Sequence, residues 1–285
     1  MNFSKPVNPH NASETQATDA HSPEPISAQL SAQLSAQLSD RLASLMSLKM
    51  ANPVIAALDV DSMDECLRIA YLLTSKNGAP KIGALKVGPR LCIRYGASLI
   101  QRLSEMAPVF VDNKYFDIPS TMESAIRATF EAGATLATVH AGAGPEALCR
   151  LAKVEAELNQ IRPFKILAVT ILTSFSQETL PANANALSIS DQVERLARSV
   201  AENGLTGLVC SSHEAALLRK SLPSSFLVTP GVRMPGDAPG DQKRIDTPAD
   251  ALRKGATALV VGRPIIESSD PVAALIKILS SIQEA

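Results

Sequence analysis

From Pro53 onward, short apolar and β-branched runs alternate with longer segments whose apolar positions recur every three or four residues. The runs are Val54–Leu58, Ile82–Val87, Val109–Val111, Ala134–Val139, Lys165–Ile171, Gly207–Cys210, Phe226–Val228 and Ala258–Val261. Strands that are apolar on both faces and separated by helical patterns predict a parallel sheet covered on its outer side. The helical patterns include Asp64–Leu73, Arg90–Met106, Thr121–Ala132 and Asp191–Asn203, with a final one over Asp270–Ile282. Eight such units within about 230 residues predict a (β/α)8 TIM barrel, residues 51–285, as a single catalytic domain. A doubly wound open sheet is the alternative, but it normally uses fewer strands and would carry GxGxxG after the first, which is absent here.

Residues 1–50 have a different character. Positions 1–26 are rich in Ser, Pro, Asn, His and Thr without a hydrophobic period, which predicts disorder. SAQL then occurs three times between Ser27 and Leu38, and Leu30, Leu34, Leu38, Leu42 and Leu45 follow at helical spacing. This predicts an amphipathic helix over 27–48, packed on the barrel floor or drifting as a low-complexity extension, with a partner-binding helix as the rival reading.

In a barrel, chemistry sits where strands end and the following loops begin. Asp59 follows the first run, Lys86 ends the second, and Asp112–Thr121 follows the third. Residues two apart on a strand face the same way, so Asp112 and Lys114 are expected to point together into the mouth, with Asp117 at the start of the loop. With Lys86 they form an alternating Lys–Asp–Lys–Asp array, in which each charge keeps its neighbours ionised. Charges of this density are costly to desolvate, so function explains them better than stability does. Arg233, in Pro230-Gly231-Val232-Arg233, and Arg263, beside Gly262, stand after strands seven and eight, where barrels frequently hold phosphate. The Gly-, Pro- and Asp-rich stretch 234–241 is long enough to be a closing lid. His140, ending strand four, reads equally as a catalytic group or as a packed, hydrogen-bonded histidine. Asn113 and Tyr115 are expected to face outward or to support the site.

The bulk numbers remove other classes. The chain has 285 residues, 46% hydrophobic, with 27 basic and 28 acidic side chains for a formal net charge of −1. Nothing here resembles the broad basic field of a nucleic-acid binder. No apolar run approaches the roughly 20 residues of a membrane span, and the N-terminus lacks the apolar core of a secretory signal. Cys66, Cys92, Cys149 and Cys210 are scattered without CxxC spacing, against a zinc site or disulfide framework and in favour of a reducing cytoplasm.

In Ala57-Leu58-Asp59, Lys86-Val87-Gly88 and the D-x-K-x-x-D-I-P-x-T stretch from Asp112 to Thr121, the chain resembles the orotidine 5′-phosphate decarboxylases, most of all their common bacterial group. Leu172-Thr173-Ser174, Thr229–Arg233, Gly240-Asp241-Gln242 and Val261–Pro264 continue the resemblance in order over about 50–280. It implies conversion of orotidine 5′-monophosphate to uridine 5′-monophosphate and carbon dioxide without a cofactor or metal. It further implies that Asp59 and Lys86 bind the ribose hydroxyls, that Asp112 faces the substrate carboxylate, and that Lys114 protonates C6. Thr173 would read the pyrimidine edge, and Arg233, Gln242, Gly262 and Arg263 would hold the phosphate. Asp117, with Ile118 and Thr121, would reach across a homodimer into the partner's site. A Mg²⁺-dependent sugar-phosphate decarboxylase or synthase of the same barrel superfamily is one alternative; a non-catalytic phosphate-binding scaffold is another.

Overall fold

The computed structural model describes residues 1, 26–74, 81–181, 186–235 and 246–283. The chain divides into two compact units, Met1–Ala36 and Gln37–Ala285. In the first, the described residues from Ile26 are helical, while the rest of the stretch expected to be disordered lies outside the described residues apart from Met1.

The second unit is the barrel that the sequence predicts. Strands β1 (Val54–Ala57), β2 (Ala84–Val87), β3 (Val109–Tyr115), β4 (Leu136–His140), β5 (Lys165–Val169), β6 (Gly207–Val209), β7 (Phe226–Thr229) and β8 (Ala258–Val261) pair in parallel in chain order and close on themselves. Helix α1 (Ile26–Ser47) begins in the first unit and ends in the second; the helices that follow the strands surround the barrel: α2 Met63–Thr74, α3 Pro89–Ser104, α4 Pro119–Glu131, α5 Pro145–Leu158, α6 Ile189–Glu202, α7 Ser212–Ser221, α8 Pro248–Arg253, α9 Arg263–Ile266 and α10 Pro271–Gln283. Local chemistry starts several of them. Pro89, Pro119 and Pro248 occupy first-turn positions where no N–H is needed, and the Ser188 and Thr247 side chains accept from Asp191 and Asp250 N–H. At Gly96 (φ 58°) α3 breaks its helical course, a backbone state that glycine adopts at no steric cost.

Strand alternation divides the interior in two. Outward residues such as Val54, Leu85, Val87 and Val111 pack against the helices in one large core. Inward residues Ile55, Ala84, Phe110, Leu136, Leu167, Phe226 and Ala258 fill the barrel floor. Two steps further along the same strands the inward positions are Ala57, Lys86, Asp112, Thr138, Val169 and Val260. Closed parallel strands therefore place apolar packing at one end and polar groups at the other.

The floor is completed by the segment expected to pack there. Leu45, Leu48 and Met50, at the end of α1 and just beyond it, are buried in the same cluster as the inward floor residues. Arg41 anchors the helix by donating to the Ala256 carbonyl, and burial, reinforced by the charge of Arg219, brings its guanidinium down to about 10. Leu38, Leu42 and Met46 are exposed at 53%, 51% and 75%. Among the described residues no helix is long and apolar enough to cross a membrane.

Leu48→Ala, which opens a void in the floor, is expected to lower the unfolding free energy by about 2–4 kcal/mol. Leu42→Ala, on the exposed face of the same helix, should stay within about 0.5 kcal/mol. Urea unfolding of both variants checks the contrast.

Candidate active site

A cavity of about 700 Å³ opens at the mouth of the barrel, lined by residues from the ends of β1, β2, β3, β5, β6, β7 and β8. One group of its charged side chains comes from β2, β3 and the residues just after β1. Lys86 Nζ donates to Asp59 Oδ1 at 3.0 Å and lies 3.7 Å from Asp112 Oδ2. Lys114 Nζ donates to Asp112 Oδ1 at 2.9 Å. The result is a continuous Asp59–Lys86–Asp112–Lys114 chain of opposite charges. Lys86 is the most enclosed, with 8% of its side chain exposed against 16% for Asp112 and 37% for Lys114. A lysine so enclosed is tolerated because carboxylates flank it.

The geometry that delivers Asp112 and Lys114 differs from simple strand alternation. Val111 stands opposite Ala137 and Tyr115 opposite Val139, so β3 uses four steps where β4 uses two. The surplus is a bulge over residues 112–114, the device that commonly re-aims side chains at barrel rims. Within it Lys114 takes φ 52°, a left-handed state that costs a non-glycine residue roughly 1–3 kcal/mol. Its N–H, displaced from the sheet ladder, donates to Thr138 Oγ1 at 2.9 Å. The Thr138 hydroxyl donates in turn to Asp112 Oδ1 at 3.0 Å. Asn113 and Tyr115 pair with each other at 3.0 Å, and the Tyr115 hydroxyl reaches Thr129 on α4, on the outer side of the strand.

Further round the mouth, Arg233, Gly262 and Arg263 line the cavity after β7 and β8, with Gly231 beside them, and Thr173 lines it after β5. Arg233 is buried and donates to its neighbour's carbonyl, Val232 O, at 2.8 Å. Its backbone N–H donates to Asp246 O at 2.9 Å, and Val232 and Asp246 form a parallel bridge. Described residues on either side of the expected lid are thus bonded to each other. Most of the lid, residues 236–241, and Gln242 lie outside the described residues.

Three expected site residues are not brought to this cavity. Asp117, Ile118 and Thr121 are exposed at the start of α4, and Asp117 Oδ1 accepts the Ile118 N–H at 2.7 Å. Exposed apolar side chains surround them: Phe116 and Ile118 are each 64% exposed. His140 does not line the cavity either. Its Nδ1 accepts from Gly142 N–H at 3.0 Å, capping a 3-10 turn, and its ring lies 5.0 Å from that of Phe116. Among the described residues no three His, Cys, Asp or Glu side chains converge to hold a metal ion. Thr138 is the residue that sequence reasoning missed. Its signal was present: a polar side chain two positions before His140 in a mostly apolar run, and two after the inward-facing Leu136.

A family model described as "Orotidine 5'-phosphate decarboxylase / HUMPS family" matches residues 52–278. The orotidine 5′-phosphate decarboxylase of Shewanella sediminis (strain HAW-EB3) is 38% identical over 237 residues, covering 81% of this chain and 97% of its own length. That of Parasynechococcus marenigrum (strain WH8102) is 43% identical over 230 residues, covering 79% of this chain and 91% of its own. A crystal structure of orotidine 5′-phosphate decarboxylase from Lactobacillus acidophilus superposes with a TM-score of 0.69 at 32% identity, covering 81% of this chain and 99% of that one.

Burial holds the His140 imidazole below its ordinary value of 6.5, so it stays neutral in the fold where an unfolded chain would already protonate. The stability this confers is complete above about pH 6.5 and is lost as pH falls through the folded-state value. The His140 ring resonances are therefore expected to titrate with a midpoint below 6.5 by NMR. His140→Gln should unfold with a weaker loss of stability between pH 7 and pH 5 than the wild type.

Proposed function

This chain belongs to the orotidine 5′-phosphate decarboxylase / HUMPS family, and from that premise we propose how its site divides the work of decarboxylating orotidine 5′-monophosphate. The reaction yields uridine 5′-monophosphate and carbon dioxide, the step that makes the pyrimidine nucleotide. The observation that carries our reading is the Lys114 ammonium, held at 2.9 Å by Asp112 inside a cavity of a size that suits a nucleotide.

When the bond from C6 to the carboxyl carbon breaks, its electron pair stays on C6 in an orbital that the ring does not delocalise. A fixed ammonium stabilises that developing charge more than it stabilises the ground state, and so raises turnover rather than mere affinity. Lys114 then donates its proton to C6, and solvent returns one to the amine. Asp112 faces the substrate carboxylate and keeps Lys114 aimed. Asp59 and Lys86 take the ribose hydroxyls, and Thr173 takes the polar edge of the pyrimidine. Arg233, Arg263 and the backbone of Gly262 hold the phosphate after β7 and β8, with Gln242 arriving on the lid. Binding energy gathered at the phosphate, far from the bond that breaks, helps to align the array.

The active assembly is a homodimer in this reading. Asp117, Ile118 and Thr121 sit outside their own chain's cavity beside exposed Phe116, which suits a surface that meets a second copy and sends Asp117 of the partner subunit toward Lys114. Residues 51–285 form the catalytic domain and residues 1–50 an extension. Four cysteines, none of them in a disulfide and one of them exposed, fit a reducing cytoplasm.

The purified chain is expected to convert orotidine 5′-monophosphate at the same rate with and without EDTA, followed by absorbance. Lys114→Ala should lower kcat/KM by about 10³-fold or more; near-normal turnover of that variant would sink the assignment. Arg233→Ala should mainly raise KM.

A further inference from the structure

We propose that Thr138 is a positioning residue of this site, setting the aim of both Asp112 and Lys114 through one hydroxyl group. The proposal rests on the decarboxylase reading above and adds to it a residue that the substrate need not touch.

The bulge in β3 creates two problems at once. It takes the Lys114 N–H out of the ladder in a left-handed backbone state, and it leaves the Asp112 carboxylate to be oriented by side chains alone. Thr138, on the adjacent strand and fully buried, answers both. Its oxygen accepts the Lys114 N–H at 2.9 Å in place of a strand carbonyl, and its proton goes to Asp112 Oδ1 at 3.0 Å. A hydroxyl offers one donor and two acceptor lone pairs, so it can accept from Lys114 and donate to Asp112 at the same time, which sets the direction of its O–H. Asp112 Oδ1 then receives Thr138 from the sheet side and Lys114 Nζ from the mouth, while Oδ2 is left facing Lys86 at 3.7 Å. Without the hydroxyl the carboxylate can rotate, Lys114 loses its fixed partner, and the unpaired N–H favours collapse of the bulge. Misplacement of a reacting group by about 1 Å can cost about 100-fold in rate. Thr138 makes no contact that would hold substrate more tightly in the ground state, so the loss belongs in kcat rather than in KM.

The test compares two pairs that differ only in the hydroxyl, Thr against Val and Ser against Ala at position 138, in the full-length chain with orotidine 5′-monophosphate as substrate. Thr138→Val and Thr138→Ala are expected to lower kcat by about 10- to 100-fold with KM within about threefold, and Thr138→Ser to restore kcat to within about threefold of wild type. Thermal unfolding and circular dichroism establish that each variant is folded; if Thr138→Val alone does not fold, the Ser/Ala pair decides. Equal kcat with and without the hydroxyl in an active background overturns the proposal, as does a loss confined to KM. Unfolding of both hydroxyl-free variants overturns it in favour of a purely structural role. A folded wild type that leaves the substrate untouched overturns the decarboxylase reading itself, an outcome distinct from the others.

Discussion

Asp112 is the constraint on which the mouth of this barrel is built. It is a carboxylate with little access to water, and its neighbours hold it in one orientation: Lys114 and Thr138 on one oxygen, Lys86 near the other. Lys86 in turn depends on Asp59 for its second counter-charge. Removing one member would leave a charge in a weakly solvated place, a condition more expensive than never having buried the set. The network is therefore a costly arrangement of the kind that a fold keeps at functional sites.

The barrel makes such an arrangement affordable by separating its two ends. The same strands that carry Lys86 and Asp112 near the mouth carry Ala84 and Phe110 two residues earlier in the floor. The floor is closed by Leu45, Leu48 and Met50, which precede the first strand in sequence. Dry packing there supports a rigid frame, and a rigid frame keeps a crowded set of charges from relaxing apart. The outer face of each strand adds to it, since the helices cover a continuous apolar layer.

Much of this was legible in the sequence because it rests on periodicity. Apolar runs at regular spacing gave the strands, and the leucines from Leu30 to Leu45 gave the helix whose end seals the floor. Asp112 and Lys114 were reached by assuming an unbroken alternation. The residues are the right ones for the mouth, but the chain brings them there through a bulge with Lys114 in a left-handed state. A bulge depends on how two strands register, which a single strand's sequence does not reveal. Thr138 escaped notice for a related reason: its importance lies in a neighbour's displaced N–H, not in its own chemistry. The apolar run of the third strand covers only Val109–Val111, yet β3 continues to Tyr115. Asp117, Ile118 and Thr121 show the remaining limit, because a residue aimed away from its own cavity has no pattern within one chain to explain it.

The left-handed backbone at Lys114 carries a consequence for anyone who would redesign this protein. Local backbone preference at that position favours glycine or asparagine, and an optimiser rewarded only for stability would replace the lysine with one of them. The substitution would relax the bulge and remove the ammonium in the same stroke. Given the role proposed for Lys114, thermostability and turnover would pull in opposite directions at this position, and a stabilised library is safest when position 114 and its neighbours in the bulge are held fixed.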